Sequence, residues 1–244
     1  MKEDKTKKIN KGSEKGDVAS YYDEFSGFQL KSGLHKRHHL MYDKLLELGL
    51  QENSSVLEIG SGIGMITSLI CKTVTTGDLV INDISQKNIE LNRKLNSSNN
   101  MSFIVGDIIE TEISQEFDFI TLFDVLEHIP LEKHFELFQK LKRLLTPSGI
   151  IFINIPSPEC LKYHIKYEKE VLQVIDQPLP ANIILNNAYK NELLLFDFKT
   201  YSLWHENDYQ MMMFHNDYDW EKIPVVEKTN LTSKIRATLK RFLR

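Results

Sequence analysis

Residues 56–64 read Val-Leu-Glu-Ile-Gly-Ser-Gly-Ile-Gly, an apolar run that contains one acid and ends in three alternating glycines. Residues 65–72 then read as a helix, so the stretch predicts a buried strand, a tight turn and a helix. A turn of this kind lets a ligand approach the backbone closely and directs helix N-terminal N–H groups toward it. The stretch therefore predicts a nucleotide-like cofactor site in an α/β fold.

The spacing of the glycines discriminates between cofactors. The pattern is G-x-G-x-G, and Met65 and Ile66 stand where a dinucleotide fingerprint places its third glycine. Glu58 stands just before the turn, and a carboxylate there suits a cationic ligand better than a pyrophosphate. These two features disfavour a nicotinamide-dependent dehydrogenase.

Three more apolar segments end in an acid and predict strands of one parallel sheet; they are residues 79–83, 102–107 and 117–124. The carboxyl ends of parallel strands meet at one edge, so Asp83, Asp107 and Asp124 are expected along one ligand crevice. Asp83 follows the glycines by about twenty residues, the separation at which a carboxylate reaches ribose hydroxyls.

The ordered set of motifs resembles the class I S-adenosylmethionine-dependent methyltransferases over residues 33–155. The resemblance implies an α/β, Rossmann-like, doubly wound sheet of seven strands, mostly parallel with the last antiparallel, and S-adenosylmethionine as cofactor. The residues that it assigns to cofactor binding are Glu58, Gly60, Gly62, Gly64, Asp83, Ile84, Asp107, Ile108, Phe123 and Tyr21.

Within that set, the resemblance gives Glu58 and the glycine turn to the methionine part, Asp83 to the ribose and Asp107 with Ile108 to the adenine. A structural alternative stays open, because Asp83 and Asp107 can also cap the helices that follow them. Glu58 interrupts a buried strand and therefore needs a polar partner there.

The segment after the fourth strand carries the candidate catalytic residues. Methyl transfer is an in-line displacement, and an oxygen acceptor must also lose a proton. His128 is the candidate base, and Asp124 is expected to line the methyl site. In the alternative interpretation, His128 bonds the backbone and only orients its loop.

The type of acceptor is indicated by the same segment. Residues 123–126 read Phe-Asp-Val-Leu instead of the Asn/Asp-Pro-Pro-Tyr run of relatives that methylate exocyclic or amide nitrogens, and residues 126–128 are similar to those of ubiquinone-biosynthesis and sugar O-methyltransferases. We expect methylation, without a metal, of an oxygen on a small-molecule, saccharide or lipid-linked acceptor. The alternatives are methylation of a small-molecule or protein amine, and a non-catalytic cofactor-binding module.

Composition limits the partners and the compartment. The 244 residues carry a formal net charge of -4, which gives no overall basic field for nucleic acid. The two cysteines, Cys71 and Cys160, have neither metal-ligand nor disulfide spacing, and no run approaches the length of a membrane span. A cytoplasmic protein is expected.

The chain divides into three predicted parts. Residues 1–16 are a charged, disordered arm, residues 17–225 the methyltransferase domain, and residues 226–244 a basic amphipathic helix. The last helix suits either peripheral contact with an anionic membrane or docking on protein, including a partner subunit of an oligomer. Residues 156–190 are expected to form a helical insertion or lid on the substrate side.

Apolar spacing predicts further elements, namely helices over 34–48 and 131–145 and strands over 150–155, 192–198 and 209–214. The second helix is expected to use Phe135, Phe138, Leu141 and Leu145 as its apolar positions. Met211, Met212 and Met213 are expected in the core of the last strand.

Two sets of residues, one cationic and one mostly aromatic, each have two possible roles. The cationic run at residues 35–39 reads as a solvated helix face, and the alternative places Arg37 or His38 over the cofactor or an anionic acceptor. The aromatic residues that could stack on an acceptor ring, or simply pack, are Tyr21, Tyr22, Trp204, His205, Tyr209 and Trp220.

Overall fold

The computed structural model describes residues 33–173 and 175–216 of the chain. Its strands are β1 (Val56–Ile59), β2 (Leu79–Asp83), β3 (Met101–Val105), β4 (Phe117–Phe123), β5 (Leu145–Pro156), β6 (Leu193–Tyr201) and β7 (Tyr209–Asn216). They form one sheet in the order β3-β2-β1-β4-β5-β7-β6, in which β7 runs antiparallel to both neighbours. The predicted Rossmann-like seven-stranded fold is confirmed.

The helices are α1 (Lys36–Glu47), α2 (Thr67–Thr73), α3 (Gln86–Asn96), α4 (His134–Leu144), α5 (Pro158–Tyr167) and α6 (Ala181–Lys190). Single 3-10 turns occur at Leu126–His128, Leu131–Lys133 and Lys169–Val171. None of the helices in the described ranges has the length and apolar character needed to cross a membrane. The predicted arm and C-terminal helix, and Tyr21, Tyr22 and Trp220, lie outside the described residues.

Apolar residues cover both faces of the sheet and form two cores. On one face, Leu57 and Ile59 of β1 join a cluster that includes Leu137 of α4 and Ile184 of α6. On the other face, Val56 joins a cluster built with α1, α2 and α3. A parallel strand buried on both faces reads as a continuous apolar run, which explains why β1 shows no alternation.

The last three strands differ in length from the prediction. β5 begins at Leu145 rather than at residue 150, and its pairing with β4 shifts register between Phe117 and Phe119. Residues 146–149 lie within that irregularity. A Cβ on Gly149 would lie 2.7 Å from the carbonyl oxygen of Phe117, so the shift requires glycine at this position.

Helix α4 buries one stripe of its surface. Leu137, Phe138, Leu141 and Leu144 are buried, whereas Phe135, predicted to face the core, is 44% exposed. Phe135 lies about 120° around the helix from the centre of the buried stripe, since successive residues turn by about 100°. The prediction for Phe135 was therefore wrong, and the predictions for Phe138 and Leu141 are confirmed.

This pair of phenylalanines allows a matched test of the core. Phe138→Ala should lower the free energy of unfolding by about 3–5 kcal/mol, because it opens a cavity under the sheet. Phe135→Ala on the same helix should change it by less than about 0.5 kcal/mol. Urea unfolding followed by circular dichroism measures both values. Equal losses in the two variants would contradict the assignment of the buried face.

Candidate active site

A cavity of about 440 Å³ opens at the carboxyl ends of the central strands. Nine of the predicted cofactor residues lie in the described part of the chain, and all except Gly64 line this cavity. Those eight are Glu58, Gly60, Gly62, Asp83, Ile84, Asp107, Ile108 and Phe123, and the predicted catalytic residues Asp124 and His128 line it as well. The structure thus brings residues from β1, β2, β4 and the loop after β3 to one site.

Glu58 is a buried carboxyl group with one side-chain hydrogen bond. Thr67 Oγ1 donates to Glu58 Oε2 at 2.7 Å, and Asn92 Nδ2 donates to Thr67 Oγ1 at 2.9 Å. Burial raises the pKa of Glu58 to about 8, an effect that the Thr67 hydrogen bond opposes and nearby Asp83 reinforces. The polar partner that the sequence required for Glu58 is Thr67, at the start of α2.

The glycines of the turn have different roles. Gly60 has a φ of +68°, and a Cβ on it would lie 2.3 Å from Val125. Gly64 has a φ of +91°, and a Cβ on it would overlap the side chains of Asn92 and Asn96. Asn96 Nδ2 donates to the Gly64 carbonyl at 2.9 Å. Gly64 therefore packs against α3, while Gly60 keeps the turn close to the loop after β4.

Asp83 organises the glycine turn as well as lining the cavity. It accepts hydrogen bonds from Gly62 N–H at 2.8 Å, from Ser85 N–H at 2.9 Å and from Asn88 Nδ2 at 3.2 Å. The N-cap of α3 itself is Ser85, whose side chain accepts from Asn88 N–H. Asp83 therefore connects the turn to the start of α3, but it is not the N-cap of that helix, so the capping alternative does not hold for Asp83.

Asp107, in the loop after β3, likewise accepts a backbone hydrogen bond and lines the cavity. Its Oδ1 accepts a hydrogen bond from Ile109 N–H at 2.9 Å, and its side chain borders the cavity. Ile108 beside it is buried and supplies apolar surface. The backbone contacts position both carboxylates, because each one is held by N–H groups of its own loop.

Arg37 and His38 are not on a solvated face, so that interpretation of the 35–39 run was wrong for these two residues. Arg37 forms an ion pair of 2.8 Å with Asp124 and donates to the Tyr209 hydroxyl at 2.6 Å. Its guanidinium lies 5.8 Å from the ring centre of Trp204 and 5.5 Å from that of Tyr209. His38 is buried, and its Nδ1 accepts a hydrogen bond from His35 N–H.

The surroundings of the Arg37–Asp124 pair shift the pKa of both groups. Burial disfavours the charged guanidinium, but Asp124 and Tyr209 outweigh it and raise the pKa of Arg37. Burial also raises the pKa of Asp124, more than Arg37 and His128 lower it. Asp124 has a φ of +55°, a left-handed conformation that is uncommon outside glycine and directs its side chain from the end of β4.

His128 is held by a residue of the 156–190 insertion. Its Nδ1 lies 2.5 Å from the carbonyl oxygen of Ile175 and 3.4 Å from Asp176 Oδ1. A carbonyl oxygen can only accept a hydrogen bond, so Nδ1 carries the proton. In the neutral ring this leaves the basic lone pair on Nε2.

The insertion is fastened to the turn that carries His128. Gln177 N–H donates to the Glu127 carbonyl at 3.1 Å, and Gln177 Nε2 donates to the Ile129 carbonyl at 2.7 Å. Leu172 and Asp176 complete the cavity wall on this side. Leu172 and Asp176 were missed in the sequence because no motif marks them and their partners are distant along the chain. Glu127 was noted only as part of the 126–128 segment, without a role in the site.

Other predicted features fall outside the cavity or give no site. His205 does not line it, and its backbone N–H donates to Asp208. Across residues 33–173 and 175–216, no group of three or more His, Cys, Asp or Glu side chains is arranged to hold a metal ion. Cys71 and Cys160 are both free, partly buried thiols.

Sequence comparison matches this chain to methyltransferases. A family profile described as a methyltransferase domain matches residues 34–218. A malonyl-[acyl-carrier protein] O-methyltransferase of Calditerrivibrio nitroreducens is 28% identical over 235 residues, which cover 93% of this chain and 82% of that protein. A phosphoethanolamine N-methyltransferase of Plasmodium falciparum is 32% identical over 111 residues, 45% of this chain and 42% of that protein.

Among solved structures, magnesium protoporphyrin IX methyltransferase from Synechocystis with bound S-adenosylhomocysteine superposes with a TM-score of 0.65 at 15% identity. The match covers 83% of this chain and 99% of that one. This likeness concerns the fold, and the profile match over three quarters of the chain supplies the family. The chain belongs to the class I S-adenosylmethionine-dependent methyltransferases, and it is an enzyme whose cofactor is S-adenosylmethionine.

Proposed function

We propose that this enzyme transfers a methyl group to an oxygen of a small-molecule, saccharide or lipid-linked acceptor, with His128 as the general base. The observation that carries the proposal is the contact between His128 Nδ1 and the Ile175 carbonyl. This contact gives the ring the tautomer in which Nε2 can take a proton from an acceptor hydroxyl.

The wall of the cavity fits the chemistry of the cofactor. S-adenosylmethionine carries an ammonium, a sulfonium, ribose hydroxyls and an adenine amino group, which are cations or hydrogen-bond donors. The wall presents the carboxyl groups of Glu58, Asp83 and Asp107, which are acceptors. We assign Glu58 and the glycine turn to the methionine part, Asp83 to the ribose, and Asp107 with Ile108 to the adenine.

When bound, the cofactor supplies an electrophilic methyl group on a cationic sulfur. The residues of this chain then have to align the acceptor, keep water out and accept one proton. In our assignment Asp124 lines the methyl site, Phe123 packs against the cofactor, and His128 Nε2 accepts the proton. Arg37 neutralises Asp124 and so keeps that carboxylate in place at the end of β4.

An oxygen acceptor is also favoured by the names of similar proteins. The Calditerrivibrio protein is an O-methyltransferase, and a ubiquinone biosynthesis O-methyltransferase of Actinobacillus pleuropneumoniae is 26% identical over 107 residues, 41% of this chain and 44% of that protein. Identifying the methylated atom in a reaction product separates this proposal from transfer to an amine nitrogen.

The role of Glu58 predicts weaker cofactor binding in Glu58→Gln. Replacing the carboxyl group by an amide should raise the Kd for S-adenosylhomocysteine about 10- to 100-fold, because the ammonium of the ligand favours the ionised carboxylate and an amide cannot form that charge-assisted hydrogen bond. Isothermal titration calorimetry at constant pH measures this change. Glu112→Gln, on an exposed loop, is the control and should bind as the wild type does. Unchanged affinity in Glu58→Gln would remove Glu58 from the cofactor site.

Without cofactor, Glu58→Gln should differ from the wild type in how its free energy of unfolding depends on pH. The unfolded chain releases the Glu58 proton near its ordinary pKa of 4.5, whereas the folded protein retains it up to about pH 8. The folded state thus binds more protons in this range, so raising the pH lowers wild-type stability.

Glu58→Gln has no such proton to lose. Between pH 5 and pH 8 it should gain on the order of 4 kcal/mol of unfolding free energy relative to the wild type. Urea unfolding at several pH values gives the difference between the two proteins. A difference that stays constant with pH would show that Glu58 is ionised in the folded state.

The proposed base predicts slow turnover in His128→Gln. The value of kcat should fall about 10²- to 10⁴-fold, while the Kd for S-adenosylhomocysteine stays near that of the wild type. Formation of S-adenosylhomocysteine with a panel of hydroxyl acceptors provides the assay, and His39→Gln, exposed on α1, is the control. Near-normal kcat in His128→Gln would exclude the base role. Long-range ¹H–¹⁵N spectra of the wild type should independently show the proton on Nδ1.

A further inference from the structure

Glu127 is a further buried carboxyl group of the cavity, beside His128. It lies in the 3-10 turn after β4 and lines the cavity with a side-chain exposure of only 2%. Its Oε1 is 3.8 Å from His128 Nε2. Its Oε2 is inaccessible to solvent and has no hydrogen-bond partner among the described residues.

The fold does not use this carboxyl group to hold the turn. Gln177 reaches the turn through the Glu127 carbonyl oxygen, which accepts from both the backbone and the side chain of Gln177. His128 is oriented through its other nitrogen, by Ile175 and Asp176. Burying a carboxyl oxygen that has no hydrogen-bond partner among the described residues costs free energy, so stability alone gives no reason for Glu127.

The charges around Glu127 favour one kind of ligand. Burial, and then Asp124 and Asp176, raise the pKa of Glu127 well above its ordinary value. Arg37 is the permanent cation that acts on Glu127, and it is already paired with Asp124. A carboxylate brought to this corner would meet three acidic groups, whereas a hydroxyl or an ammonium would find an acceptor oxygen.

We propose that Glu127 determines acceptor specificity, because its carboxyl group accepts a hydrogen bond from a hydroxyl or ammonium next to the methylated atom. Acceptors with a donor group at that position are therefore preferred to acceptors with a carboxylate. The inference rests on the proposed function, since it assumes that the acceptor lies beside His128.

The test uses the full-length protein saturated with S-adenosylhomocysteine and three probes that share one ring: benzyl alcohol, benzylamine and benzoate. Calorimetry or ligand-observed NMR measures their affinities. In the wild type the alcohol or the amine should bind about tenfold or more tightly than benzoate. Glu132→Gln, exposed on the next turn, is the matched control and should keep this preference.

Two variants of Glu127 separate the two donor groups. Glu127→Leu removes the polar atoms without opening a cavity, and should abolish the preference for either donor while leaving S-adenosylhomocysteine binding intact. Glu127→Gln keeps a neutral acceptor, so a preference for the alcohol should survive and a preference for the amine should be lost.

Three results would overturn the inference: benzoate binding as tightly as the other probes, a preference that persists in Glu127→Leu, or no binding of any probe to the wild type. A wild-type protein that fails to bind S-adenosylhomocysteine would instead contradict the cofactor site. Normal probe binding with normal turnover in His128→Gln would contradict only the proposed base.

Discussion

The cavity of this enzyme depends on acidic groups that are withdrawn from water at the ends of parallel strands. Glu58 is the central case, because its carboxyl group lies inside an apolar strand and is held by Thr67, which Asn92 holds in turn. This chain of hydrogen bonds joins β1 to α2 and α3. The glycine turn lies between β1 and α2, so the same hydrogen bonds fix both of its ends. A site of this kind is electrostatically unfavourable when empty and is stabilised by a cation.

Much of this arrangement follows from the sequence, because its signals are local. When parallel strands carry acids at or near their carboxyl ends, those acids are expected along one edge of the sheet. The acids of β1, β2 and β4 do lie there, because Glu58, Asp83 and Asp124 line one cavity. The spacing of Phe138 and Leu141 indicated the buried side of α4, but extending the same stripe to Phe135 was wrong, because that residue lies about 120° from the centre of the stripe. Helical periodicity identifies a face more reliably than its edges.

The side of the cavity beside Arg37 and His128 could not be predicted in the same way, because its contacts join distant parts of the chain. Arg37 pairs with Asp124 and Tyr209, and Ile175 meets His128, with no motif in the sequence to indicate either pairing. A run of five basic residues usually faces solvent, but here Arg37 turns inward because Asp124 and the aromatic rings offer it partners, and His38 is buried with its Nδ1 on the His35 N–H. The opposite end of the cavity was predictable, because it is built from a strand, a glycine turn and a helix that follow one another in the sequence.

The position of Ile175 links access to reactivity. The carbonyl that sets the His128 tautomer belongs to the same segment that Gln177 fastens over the cavity. If that segment moves aside to admit a substrate or release a product, the imidazole loses the partner that defines its protonation pattern. Under the proposed function, His128 Nε2 is defined as the basic nitrogen only while the Ile175 contact is in place, so removal of the acceptor proton is coupled to the position of this segment.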